Sequence, residues 1–179
     1  VKLVVSTEKK VEYKYVQTST LTAGKSYVIA SDYNSVKAIY SDRTAAHDNV
    51  IALSGSPTAF EGSAGSYAIQ LDDQSFVWNA VETANSNQVY LQNADSGLYL
   101  AAYATGTNDA GTSVNLGYFE LTKAKPANGI WQMSGDVLQT TEGVKWYPRS
   151  NSICNVTSGT GRTTILFEQV PLEAYAEIE

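Results

Sequence analysis

The chain has 179 residues, with 12 basic and 18 acidic side chains, one His, one Cys and a formal charge of −6. That length buries a core without metal or disulfide staples. The acidic balance argues against general nucleic-acid binding, His47 and Cys154 fall short of the about four ligands a zinc site takes, and no apolar run approaches the roughly 20 residues of a bilayer span.

The chain opens Val1-Lys2-Leu3-Val4-Val5-Ser6, without an initiator Met or a signal-peptide pattern, as expected of a mature or trimmed chain. Amphipathic helical periodicity is scarce. What recurs is a short β-branched or alternating run bounded by Gly, Asn, Asp and Ser. Strands are predicted at 3–6, 12–17, 26–30, 38–40, 50–53, 68–71, 77–81 and 89–93. The series continues at 99–102, 114–116, 119–122, 130–133, 137–140, 145–147, 153–156 and 165–168. Many short strands at this spacing read as an all-β domain. One domain over 1–179 is expected, with a core over about 18–170, leading strands in 1–17 and a tail or linker in 171–179.

Three turns organise the strands: Asp32-Tyr33-Asn34-Ser35, Asn93-Ala94-Asp95-Ser96-Gly97 and Thr140-Thr141-Glu142-Gly143. In each, residues that favour a reversal separate two apolar runs. Each hairpin begins a longer unit that ends in an apolar or aromatic strand. The first unit comprises Tyr27-Val28-Ile29, Ala38-Ile39, Val50-Ile51-Ala52-Leu53 and Val77-Trp78. The second comprises Tyr90-Leu91, Tyr99-Leu100, Val114-Asn115-Leu116 and Ile130-Trp131, and the third Val137-Leu138, Trp146-Tyr147, Ile153-Cys154 and Leu166-Phe167. One four-stranded unit cannot bury its apolar face alone, whereas three around an axis can. The expected fold is therefore a β-trefoil-like barrel with a pseudo-threefold repeat, the alternatives being another β-barrel or a β-sandwich.

Two resemblances follow from these residues. The stretch Leu21-Thr22-Ala23-Gly24-Lys25-Ser26-Tyr27-Val28-Ile29-Ala30, the pair Lys37-Ala38, the hairpin Gly97-Leu98-Tyr99-Leu100 and the segments Trp146-Tyr147-Pro148-Arg149 and Ile165-Leu166-Phe167-Glu168 together resemble an accessory module of exported Bacteroidetes proteins. That resemblance runs from about Thr18 to Val170 and implies an all-β, non-catalytic module of a secreted or cell-surface protein. The hairpin 91–100 is also similar to a segment of ricin-type β-trefoil lectins. Their Gln-x-Trp signature is absent, because Phe76 and Gly129 stand two residues before Trp78 and Trp131.

Catalytic constellations are poorly supplied. His47 is the sole imidazole and lies in a polar loop, and Cys154 sits in an apolar run as a small core residue would. Asp72-Asp73 reads as a turn start, since adjacent strand residues face opposite ways. Gly159-Thr160-Gly161-Arg162-Thr163-Thr164 lacks the Lys-Ser/Thr of a phosphate loop. No enzyme, cofactor or metal is expected. Aromatic side chains are the abundant binding resource, since Tyr offers an apolar face with a hydroxyl handle. The candidate ligand-binding residues are Trp146, Tyr147, Arg149, Tyr103, Asp109 and Tyr99. Alternation places Trp146 and Tyr147 on opposite faces, while Trp78 and Trp131 are expected in the core. The functional expectation is a binding or adhesion module for a glycan or surface protein, monomeric or part of a larger exported protein. The alternatives are a protease inhibitor acting through the loop 104–112 and a carboxylate-dependent glycosidase.

Overall fold

A computed structural model of the chain describes residues 13–33, 37–41, 60–61, 68–69, 73–103, 106–107, 113–114, 117–148 and 155–171. The fold is all-β and antiparallel, with one short 3₁₀ turn at Gln74–Phe76 among the described residues. In chain order the strands are β1 (Tyr13–Thr18), β2 (Ser26–Ser31), β3 (Lys37–Ala38), β4 (Phe60–Glu61), β5 (Ala68–Ile69), β6 (Val77–Glu82), β7 (Val89–Asn93) and β8 (Tyr99–Tyr103). They continue as β9 (Gly106–Thr107), β10 (Ser113–Val114), β11 (Tyr118–Thr122), β12 (Ile130–Ser134), β13 (Val137–Thr140), β14 (Lys145–Trp146), β15 (Val156–Thr157) and β16 (Ile165–Pro171).

The main sheet runs β1-β16-β2-β6-β7-β12-β13-β14-β15, with β3 beside β2, β8 beside β7 and β11 beside β8. The three expected hairpins are its organising pairs: β2 with β3 through Ala30↔Ala38, β7 with β8 through Gln92↔Tyr99, and β13 with β14 through Gln139↔Lys145. The Asn93 turn shows why that sequence reverses. The buried Asn93 Oδ1 accepts from the backbone N–H groups of Asp95 and Ser96 at 3.1 and 3.0 Å, and Gly97 takes φ 73°, a conformation that favours glycine.

The side-chain pattern accounts for two cores. In β7 and β13 alternate residues are buried, as period-two patterning dictates for strands with one face inward. β2 is instead buried on both faces: Tyr27 and Ile29 enter a large interior cluster with Trp78, Leu91, Leu100, Trp131, Leu138 and Trp146, while Val28 and Ala30 enter a smaller cluster with Ala38, Val77, Ile165 and Phe167. The uninterrupted apolar runs 27–30 and 165–167 are the sequence mark of that double burial. Tyr15 of β1 and Phe76 of the 3₁₀ turn pack against the smaller cluster.

The strands that the sequence groups into three units each send residues into the large core. First strands supply Ile29, Leu91 and Leu138; residues in or next to second strands supply Ile39, Leu100 and Trp146; last strands supply Trp78, Trp131 and Leu166. Trp78 Nε1 donates to Ile39 O at 2.9 Å, and Trp131 Nε1 donates to Leu100 O at 2.8 Å. The two indoles therefore make the same kind of bond to a main-chain carbonyl. In the third unit the order of large and small is exchanged, with Trp146 on the second strand and Leu166 on the last. Among the described residues no strand ladder joins β13 to β16. That seam is crossed by Thr164 N–H to Asp136 O at 2.7 Å and by Leu138 N–H to Thr164 Oγ1 at 3.0 Å.

The expected strand 119–122 is present as Tyr118–Thr122 and pairs with β8, with Phe119 and Leu121 as two alternate inward anchors. Of the expected strand 114–116 the described residue is Val114, and Ser113–Val114 pairs with Gly106–Thr107 apart from the main sheet. The leading strand pairs along its whole length with β16, from Tyr13↔Pro171 to Thr18↔Leu166. Asp73 of the expected turn start caps the 3₁₀ turn, its Oδ1 accepting from Ser75 N–H at 2.9 Å. The predicted strands at 3–6 and 50–53, and the residues His47 and Cys154, lie outside the described residues.

Candidate functional site

The segment before β16 meets the end of β2 at a cleft of about 380 Å³, lined by Ser31, Asp32, Tyr33, Gly161, Arg162 and Thr163. Its construction begins with a glycine. A Cβ on Gly161 would stand 2.6 Å from Val137 Cγ1 and 2.8 Å from Lys145 Cβ, so the backbone passes there because glycine has none. Arg162 N–H then donates to Trp146 O at 3.1 Å, which docks the segment on β14.

From that anchor the Arg162 guanidinium lies over two tyrosine rings, its Cζ 3.4 Å from the Tyr33 centroid and 4.0 Å from the Tyr147 centroid. Nη2 donates to Tyr147 Oη at 2.8 Å, and Nη1 donates to Pro148 O. A guanidinium on an aromatic face is held by the ring quadrupole, worth about 0.5–2 kcal/mol according to exposure. Two rings and two hydrogen bonds thus fix a cation beside the cleft. Thr163 Oγ1 donates to Asp136 Oδ2 at 3.1 Å, and Tyr33 N–H donates to Ser31 Oγ at 3.3 Å. Tyr33 remains 38% exposed, one of two exposed aromatics among the described residues with Tyr13 at 41%. The wall therefore offers a carboxylate, hydroxyls, a fixed guanidinium and an aromatic ring.

The sequence candidates separate. Tyr147 is half-buried and belongs to this assembly. Trp146 faces the other way and is fully buried, so it supports the site from within the core and presents no ring to solvent. Alternation along β14 correctly divided the two. Tyr99 and Tyr103, both half-buried on β8, do not line the cleft. Tyr99 instead meets Tyr90 edge to face at 6.0 Å, and Lys125 Nζ lies 5.5 Å from the Tyr90 centroid. Tyr103 stands opposite Tyr118 in register. Arg149 and Asp109 lie outside the described residues. Trp78 and Trp131 are core residues, as expected.

Arg162 and Tyr33 line the cleft and are not among the candidate residues taken from the sequence. The signal was present in Gly159-Thr160-Gly161-Arg162, where two glycines precede a basic residue just ahead of an apolar strand. Among the described residues no helix is long and apolar enough to cross a membrane. Comparison with protein-family models, with curated proteins and with solved structures returns no match.

Proposed function

We propose that this chain is a non-catalytic binding module that holds a glycan in the cleft lined by Tyr33 and Arg162, displayed by a secreted or cell-surface bacterial protein. The observation that carries the reading is the stacked guanidinium beside an exposed tyrosine ring, in a concave site that also bears Asp32 and Thr163. A saccharide presents an apolar ring face and a rim of hydroxyls. Tyr33 supplies a surface for the first, while Arg162 donates and Asp32 accepts for the second. The restraint on Arg162 lowers the ordering penalty of binding, since its rotamer is settled beforehand. The secreted or surface setting rests on the resemblance of 18–170 to exported accessory modules.

The finer architecture belongs to the same proposal: three units arranged as a β-trefoil. Its support is the matched hairpins, the matched core residues of the three units and the recurrent indole-to-carbonyl bond.

A glycan array followed by calorimetry on any hit tests the function. Arg162→Ala and Tyr33→Ala should each weaken binding by about tenfold, which corresponds to about 1.4 kcal/mol, with the fold intact by circular dichroism. An array without hits overturns the glycan reading. Undiminished binding by Arg162→Ala overturns the assignment of the cleft.

A further inference from the structure

A second concavity, a groove of about 560 Å³, is lined by residues that do not line the Arg162 cleft. Three chain segments converge on this groove: Thr20 and Thr22 from the β1–β2 connection, Ser86 and Asn87 from the β6–β7 turn, and Gln132 and Met133 from β12. No lining residue is charged. The edges are hydroxyls and amides, and Met133 packs against the core beneath.

The amides nearby are held by one another. Asn85 Nδ2 donates to Gln88 Oε1 at 3.1 Å, and Gln88 Nε2 donates to Gln132 Oε1 at 3.4 Å, so a chain of side chains joins the β6–β7 turn to β12. That chain engages Gln132 only through its carbonyl and leaves its amide N–H donors outside those bonds. Opposite, Tyr27 Oη accepts from Thr22 N–H at 2.7 Å and fixes the other wall. The groove is thus preorganised and polar, with an apolar floor.

Its charge class decides what it takes. A charged ligand group would lose hydration here and find no counter-charge on the lining, an unfavourable exchange. The net charge of −6 adds a general repulsion for anions. A neutral polyol loses no ionic hydration and matches donors and acceptors of both kinds. We infer that this groove is a second saccharide site, selective for uncharged oligosaccharides, so that the domain carries two binding sites. The inference stands apart from the Arg162 cleft, because the two sets of lining residues share no member.

The test is backbone-amide NMR on the whole chain, titrated with mannohexaose, cellohexaose, xylohexaose and, as the charged counterpart, hexagalacturonate. At least one neutral hexasaccharide should move the amides of Thr20, Asn87 and Gln132, while hexagalacturonate leaves them in place. Asn87 is exposed in a turn, so Asn87→Trp fills the groove without touching the core, and it should weaken the effect by roughly tenfold or more. In protein carrying Arg162→Ala the same amides should still shift, which separates this site from the first. Three outcomes overturn the inference: groove amides unmoved by every neutral sugar, equal shifts with hexagalacturonate, or undiminished shifts in Asn87→Trp.

Discussion

At the scale of single residues, the Arg162 cleft depends on a position that contributes no side chain. Gly161 lets the backbone pass within a Cβ radius of Val137 and Lys145, and the next residue is the stacked arginine. Gly161→Ala forces either a shift of the segment or a displacement of Val137. Overpacking of this kind typically costs about 1–3 kcal/mol, to be read as a lower urea midpoint at unchanged slope. The same variant should loosen Arg162 from Tyr33 and Tyr147, visible as a change in the tyrosine ring resonances. Unchanged stability would mean that the close approach at Gly161 does not constrain the cleft. Arg162 also explains why composition alone led elsewhere: an aromatic count draws attention to tyrosines, whereas here the arginine selects which tyrosines form a site.

At the scale of elements, the recurrent tryptophan bond is the best measure of how alike the units are. Trp131→Phe keeps an aromatic ring in the core but removes the donor to Leu100 O, leaving a buried carbonyl short of a partner. The expected loss is about 1–3 kcal/mol, together with the effect of the smaller ring. Trp78→Phe, facing Ile39 O, should fall in the same range if the two units are energetically equivalent. Denaturant unfolding of both variants decides, and a loss confined to one would show that the repeat is geometric only. The hairpins and the tryptophan positions were readable in the chain because turn chemistry and period-two burial are local properties. Which segment pairs with β8 was not. Val114-Asn115-Leu116 and Phe119-Glu120-Leu121 both alternate, and only pairing with β8 distinguishes them, a contact remote in sequence. Arg162 escaped for the same reason, since its partners Tyr33 and Tyr147 are brought to it by strand order.

For the whole molecule, one junction beside the large core is held without a strand ladder among the described residues. From β16 through β2, β6, β7 and β12 to β13, neighbouring strands are joined by ladders. Between β13 and β16 the backbone bond Thr164 N–H to Asp136 O and the bond Leu138 N–H to Thr164 Oγ1 are buried links, while Thr163 Oγ1 to Asp136 Oδ2 lies at the exposed edge. Leu138 is fully buried and Thr164 nearly so, which leaves no water to replace a lost acceptor. Thr164→Val preserves shape while deleting that acceptor, and an unsatisfied buried N–H costs about 1–3 kcal/mol. Thr163→Val is the matched control, because Thr163 Oγ1 donates to Asp136 at an exposed position, where the expected change is within about 0.5 kcal/mol. Native-state hydrogen exchange adds the spatial readout. In Thr164→Val the Leu138 amide should lose protection before the amides of β7 and β12, because sub-global opening starts where the fewest bonds must break. Equal stability of the two valine variants, with Leu138 protected as in the parent chain, would show that core packing alone holds the seam shut.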